Sequence, residues 1–171
     1  MKRAILFCAL LALLMGTNAQ ETTSYKEKHP YKDWVKIAPK LDDAFLTTPE
    51  AIRIADNVLL YQHTTGGWPK NVYMPAELTA DEYKKVLAAK NNVNESTIDN
   101  SATSTEIRYL SRIYLATRIE KYKDAALEGI RYLLKAQYPN GGWPQFWPRP
   151  KGYYTHITYN DNAMVNVMNL L

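Results

Sequence analysis

Two Asp-Asn pairs hold the residues of this chain best suited to chemistry. Asp99-Asn100 and Asp161-Asn162 each precede a segment of helical periodicity, and their aspartates lie 62 positions apart (161 minus 99). An aspartate just ahead of a helix is either an N-cap or a carboxylate left over for other work. If folding brings the two loops to one end of a helical array, their carboxylate and amide oxygens suit a hard cation such as Ca²⁺, which gathers about six to eight oxygen ligands. No EF-hand spacing is present, so such a site would be assembled from distant segments. Two carboxylates could equally act as acid and base in glycoside hydrolysis. His29, His63 and His156 show no zinc-ligand spacing and read as surface or supporting residues. No Gly-rich phosphate loop, Gly-x-Ser-x-Gly elbow or basic-aromatic nucleic-acid signature occurs.

Each pair follows a Gly-Gly-Trp-Pro corner, in "TTGGWPKN" (64–71) and "YPNGGWPQFWPRP" (138–150). Gly-Gly permits a positive φ after a helix and Pro fixes the exit, so the indole between them projects from a defined backbone. Trp68 and Trp143 are 75 positions apart (143 minus 68). Each is either a small satellite core for its own hairpin or a flat apolar face against which a sugar ring can lie.

The elements that must position these residues read as helices. Thr48 is an N-cap with Pro49 at the first helical position, and Ala51, Ile52, Ala55, Val58 and Leu59 form one face before Gly66 stops the helix. Thr79 and Glu82 make a capping box for a shorter helix to about Lys90. Ile107, Leu110 and Tyr114 recur at helical spacing. From Tyr122 to Gln137 the apolar face is Ala126, Ile130, Leu133, Leu134 and Gln137, and the last segment carries Met164, Val167, Met168 and Leu171. No strand pattern appears. The fold class expected is all-α: stacked helical hairpins that can close into an α/α toroid with their loops gathered at one end. Residues 20–47 carry no sustained period and read as an irregular N-terminal arm.

Composition narrows the setting. "MKRAILFCALLALLMGTNAQ" reads as a secretory signal peptide over residues 1–19, so a secreted or periplasmic location is expected. Its apolar run of about a dozen residues is shorter than the roughly twenty needed to span a bilayer. The single cysteine, Cys8, lies inside that run, which leaves the mature chain without disulfides or thiolate metal sites. Lys2 and Arg3 leave with the leader, and the balance falls from 21 minus 17 to 19 minus 17, or +2. That is too weak to argue a nucleic-acid or membrane partner.

"STIDNSATSTEIRYLSRIY", "YLLKAQYPNGGWPQFWP" and "HITYNDNAMVNVMNLL", with the earlier "TTGGWPKN", together resemble the N-terminal half of the family ten polysaccharide lyases, which are pectate lyases. The resemblance covers about residues 48–171. It implies an incomplete α/α toroid and cleavage of polygalacturonate by β-elimination with Ca²⁺ as cofactor. It also implies that Asp99 and Asp161, matching the family's acidic positions, serve the calcium and carboxylate region. Lys70 and Arg149, basic residues near the cleft, would suit the substrate's carboxylates, with Trp68 and Trp143 beside them; solvated surface charge is the other reading of the two cations. The family's proton acceptor resembles that of unrelated pectate lyases in being an arginine, and it is expected beyond residue 171. Leu171 falls in mid-pattern without a helix-closing residue, so residues 48–171 are expected to be the first part of a longer, monomeric lyase domain, inactive alone. An α/α-toroid glycoside hydrolase and a non-catalytic module binding acidic polysaccharide are the alternatives.

Overall fold

Helix boundaries follow from chemistry at the caps. In the computed structural model, which describes residues 32–149, 151–157 and 159–171, a short helix α1 (Lys32–Ile37) precedes α2 (Pro49–Tyr61). The α2 N-cap, Thr48, accepts the Ala51 N–H through Oγ1 at 3.2 Å, and Pro49 opens the first turn. Helix α3 (Ala80–Ala89) starts at the expected capping box, with Glu82 N–H donating to Thr79 Oγ1 at 3.3 Å and Thr79 N–H to Glu82 Oε2 at 3.0 Å. Helices α4 (Ser104–Thr117) and α5 (Glu120–Ala136) are joined by Arg118 and Ile119 alone, with Arg118 left-handed at φ 59°. So short a link makes them antiparallel neighbours. Helix α6 is Ala163–Met168. Among the described residues there is no strand, only isolated antiparallel bridges at Thr97–Phe146 and Pro144–Ile157. The all-α expectation is borne out.

The α4–α5 hairpin packs against α2 through aromatic side chains with polar tips. The Tyr109 hydroxyl donates to Ala51 O and the Tyr122 hydroxyl to Asp56 Oδ1, both at 2.9 Å. Gly129 lets the layers close, since a Cβ there would lie 2.6 Å from Ile107 Cγ1 and 2.8 Å from Trp68 Cζ3.

Two helix faces are rotated from their expected positions. On α2, Ile54 and Leu60 are buried where Ile52 and Leu59 are only partly covered. On α5, Leu134 is 55% exposed and Gln137 is exposed, while Tyr122, Ala125, Gly129, Tyr132 and Ala136 turn inward. The physical reason is that α5 meets α4 and the first Gly-Gly-Trp-Pro corner at close range. Small residues admit that approach and tyrosines fill the remainder, so aliphatic count misplaced the stripe. At the chain's end, Met164 and Val167 are buried, but Met168 and Leu171 are exposed.

The expected signal peptide and residues 20–31 of the arm lie outside the described residues. The rest of the arm corrects the reading of it as irregular: besides α1, Ala38–Lys40 and Phe45–Thr47 form 3-10 turns, and Trp34 and Leu46 are each 1% exposed. Trp34 is held twice, by an edge contact with Tyr109 (centroids 5.0 Å) and by its Nε1–H, which donates to Glu106 Oε1 at 2.8 Å. The sequence around Trp34 is too short and too charged to show a period, and tertiary burial of one indole decides its structure.

Glu106, in the first turn of α4, is fully buried, and its Oε2 has no hydrogen-bond partner. Burial pushes its carboxyl up from the ordinary 4.5 to about 7, against the opposing pull of the Trp34 N–H. Because the folded value lies above the unfolded one, this group stabilises fully below about pH 4.5, and that stability is lost as pH rises through about 7. At about 1.4 kcal/mol per pH unit, the interval corresponds to roughly 3 kcal/mol. Urea unfolding is therefore expected to show stability falling between pH 5 and pH 8, and Glu106→Gln is expected to flatten that profile. A profile unchanged by the substitution would mean that other groups carry the pH dependence.

Candidate active site

The two corners are the same structure 75 residues apart. Gln62 Nε2–H donates to Gly66 O at 2.9 Å, and Gln137 Nε2–H to Gly141 O at 3.0 Å. His63 N–H reaches Gly67 O at 2.9 Å, and Tyr138 N–H reaches Gly142 O at 2.8 Å. The glycines take φ of 94° at Gly66 and 87° at Gly141. Each indole then folds back on the helix it follows: Trp68 Nε1–H donates to Val58 O at 2.7 Å, and Trp143 Nε1–H to Leu133 O at 2.8 Å. Trp68 is 0% and Trp143 5% exposed. This corrects their assignment to substrate binding. They are core anchors of their hairpins, because an indole that reaches a carbonyl of its own helix must lay its ring on that helix.

The corners set the chain's course to the Asp-Asn turns. After the first, Thr97 N–H donates to Trp68 O at 3.1 Å, and Trp68 N–H to Thr103 Oγ1 at 3.1 Å. The first turn is tight: Asn100, Ser101 and Thr103 take φ of 52°, 63° and 63°. For β-branched Thr103 this is a strained conformation, held by its hydroxyl donating to Thr97 O at 2.8 Å. In the second turn Asp161 and Asn162 take φ of 49° and 55°. Asparagine tolerates the left-handed region better than most residues, which explains the Asn of each pair. The N-cap positions of α4 and α6 are Thr103 and Asn162, neither with a side-chain cap, so neither aspartate is spent on capping.

Gln145 ties the two turns together. Its backbone oxygen accepts Ile98 N–H at 2.9 Å and the Thr97 hydroxyl at 2.6 Å, beside Asp99. Its Nε2–H donates to Asn160 Oδ1 at 2.7 Å, beside Asp161. The structure therefore brings both predicted aspartates to one end of the helices. Asp99 is 6% exposed, with Oδ1 accepting Asn100 N–H at 3.0 Å and Oδ2 ion-paired with Lys70. Lys70 also lies 5.3 Å from the centroid of Phe146. Asp161 is exposed.

Arg149 stands differently from the expected substrate ligand. Its guanidinium donates to Glu95 Oε1 at 3.0 Å and to Asn94 O at 3.2 Å, and it lies over Phe146 and Tyr154 at 4.6 and 4.4 Å. It clamps the loop after the second corner. His63 is buried and bonded to Ser96 Oγ at 2.9 Å, with burial lowering its pKa, so it supports the first loop. Asn71, whose Oδ1 accepts from Asn100 Nδ2 at 2.8 Å, and Asn160 were not singled out from the sequence. The signal available for both was adjacency, Asn71 to Lys70 and Asn160 to Asp161.

The donor set at these turns is all oxygen and amide, which suits a hard cation rather than zinc. Among the described residues no three His, Cys, Asp or Glu side chains group closely enough to hold a metal. Two carboxylates at these turns are donors of the kind a hard cation takes, one exposed at Asp161 and one, Asp99, already ion-paired with Lys70. A groove of about 520 Å³ along α4, lined by Ser101, Arg108, Arg112 and Asn166 among others, begins beside the first turn, but neither aspartate lines it.

Residues 62–171 match the family described as pectic acid lyase. That is more than half of the chain, and the chain belongs to this family. A family 10 polysaccharide lyase from Cellvibrio cellulosa is 33% identical, with a TM-score of 0.56 over 84% of this chain. A mutant of such a lyase from the same organism, in complex with trigalacturonic acid, is 32% identical, with a TM-score of 0.57 over 82%. No curated protein sequence matches significantly. The helical hairpins are accordingly part of an α/α toroid, and the chain spans 39% of the length of each of those lyases.

Substitutions at the corners and at the first turn test this architecture. At Gly66 a Cβ would meet Glu128 O at 2.4 Å, whereas at Gly141 it meets nothing within 4 Å. Gly141→Ala is expected to cost about 1 kcal/mol of backbone strain, and Gly66→Ala at least twice that, by urea unfolding. Equal costs would contradict the asymmetric packing of the two corners. Lys70→Met, which strands a buried carboxylate, is expected to cost about 2 kcal/mol, and adding Asp99→Asn to it to recover most of the loss. No recovery in the double variant would show that the ion pair does not hold Asp99.

Proposed function

We propose that the protein is a secreted or periplasmic pectate lyase that cleaves polygalacturonate by Ca²⁺-dependent β-elimination. The observation that carries the reading is the pair of Asp-Asn turns, tied to one end of the helices through Gln145 with their carboxylates not used as caps, in a chain of the pectic acid lyase family. The trigalacturonic acid bound to the Cellvibrio lyase supports the substrate class.

In this reaction a base removes the proton at C5 of a uronate, the C4–O bond breaks, and the proton ultimately balances the departing oxygen, leaving a C4=C5 double bond. A bound Ca²⁺ supplies Lewis acidity toward the uronate carboxylate, stabilising charge that develops next to C5. Asp99 and Asp161 would hold the ion, Asp99 as the buried and pre-aligned ligand and Asp161 as the accessible one. Lys70, already placed on Asp99, keeps that carboxylate oriented before the ion arrives, and its partly exposed ammonium can turn to a substrate carboxylate. Arg149 keeps the loop after the second corner in place and contacts substrate only at its exposed edge.

Arg112 donates to Ala38 O at 3.2 Å and ties α4 to the N-terminal arm, while the exposed Arg108 reaches Asn166 O at 3.4 Å. The proton acceptor is proposed to come from sequence outside residues 1–171. On this reading, calorimetry is expected to show residues 1–171 binding trigalacturonate only with Ca²⁺, and binding is expected to vanish with chelator or with Asp99→Ala. These residues alone are expected to give no ultraviolet-absorbing unsaturated product. A longer chain carrying the base is expected to give it. Reducing ends without a double bond, formed in the presence of chelator, would replace the lyase reading with a hydrolase.

A further inference from the structure

The residue that follows each Gly-Gly-Trp-Pro corner addresses the aspartate of its own unit. Lys70 and Gln145 are 75 positions apart (145 minus 70), the same offset as the two indoles. Lys70 reaches Asp99 directly, as an ion pair. Gln145 is 3% exposed, and its Nε2–H donates to Asn160 Oδ1 at 2.7 Å, while Asn160 Nδ2–H donates to Asp161 Oδ2 at 3.3 Å. The direction of this relay is forced. An ionised carboxylate only accepts, so Asn160 must turn its NH₂ toward Asp161. Its oxygen then faces Gln145, which must donate.

We infer that Gln145 is a positioning residue, which orients the Asp161 carboxylate through Asn160 as Lys70 orients that of Asp99. The inference rests on the lyase reading for its consequence in catalysis, but the relay is a property of the free chain. Asp161 is exposed, so packing does little to select its rotamer. Asn160 is better fixed, because its carbonyl accepts Ala163 N–H at 3.0 Å at the start of α6. Gln145 is fixed best. Its backbone N–H donates to Tyr154 O at 3.0 Å, and its oxygen is bonded to the first turn. Rigidity therefore passes outward from the corner to the exposed carboxylate. A glutamine here adds no charge near the cation, whereas a second lysine would oppose it.

The backbone bonds of Gln145 survive any side-chain change, so Gln145→Met cuts the relay alone while keeping volume. In the free protein, the carbon-13 resonance of the Asp161 carboxyl is expected to move, and the Asn160 side-chain amide to exchange faster, in Gln145→Met. An unmoved Asp161 resonance would overturn the inference whether or not the chain binds calcium. In calorimetry with Ca²⁺ and trigalacturonate, Gln145→Met is expected to lose about tenfold in affinity with little change in melting temperature. Asn160→Ala is expected to lose about as much, and the double variant no more than either alone, because the bonds act in series. Leu110→Ala, destabilised in the core of α4, is expected to keep its affinity; an equal loss there would reduce Gln145 to general stability. If the unsubstituted chain binds no trigalacturonate with Ca²⁺, the lyase reading falls, and the resonance of Asp161 still decides the relay.

Discussion

An indole N–H bonded to a carbonyl ten residues upstream is the interaction on which the rest of this chain depends. Trp68 to Val58 and Trp143 to Leu133 fold each corner onto the helix it leaves, and the same bond locates everything that follows. A buried indole without a partner would be costly, and a carbonyl near the end of a helix needs one, so each satisfies the other. In the first corner the glycines also matter because there is no room: Gly66 is pressed against Glu128 O, and Gly67 against the Tyr132 ring, where a Cβ would sit 2.8 Å from Cζ. The corner thus acts as the joint between a helical hairpin and a loop that can carry function.

That dependence explains which parts of the molecule could be read from the chain. Caps and breakers act over three or four residues, so Thr48-Pro49, Thr79-Glu82 and the glycine stops placed the helices well. Burial is a tertiary property, and there the periodicity of aliphatic residues misled. Tyr122 and Tyr132 are buried while Leu134 is exposed, because a tyrosine that bonds a partner at its tip packs as well as a leucine and reaches farther. Trp34 was unreadable for the same reason, since its partners, Glu106 and Tyr109, lie more than seventy residues away.

The site was legible as two aspartates and two basic residues, but not as a circuit. Spacing showed that Asp99 and Asp161 recur in similar surroundings. It could not show that Lys70 is ion-paired with Asp99, or that Arg149 is bonded to Glu95 and lies over two aromatic rings. The tryptophans carried an ambiguity of the same kind. A rigid aromatic corner is equally suited to displaying a ring or to burying it, and the 75-residue repeat of the N–H to carbonyl bond decides for burial in both copies.

Repetition with a difference is what makes these two units useful to one another. Identical units would present two buried, lysine-paired aspartates, and each would resist a cation with its own ammonium. Here the first unit carries the charged partner and the second an uncharged one, Gln145 acting through Asn160. Asp99 is thereby held by a neutralising charge and Asp161 by dipoles, which align a carboxylate without cancelling it. The strained backbone follows the same division: Asn100, Ser101 and Thr103 are forced into the left-handed region on the buried side, where the hydroxyls of Thr97 and Thr103 and the corner backbone hold them.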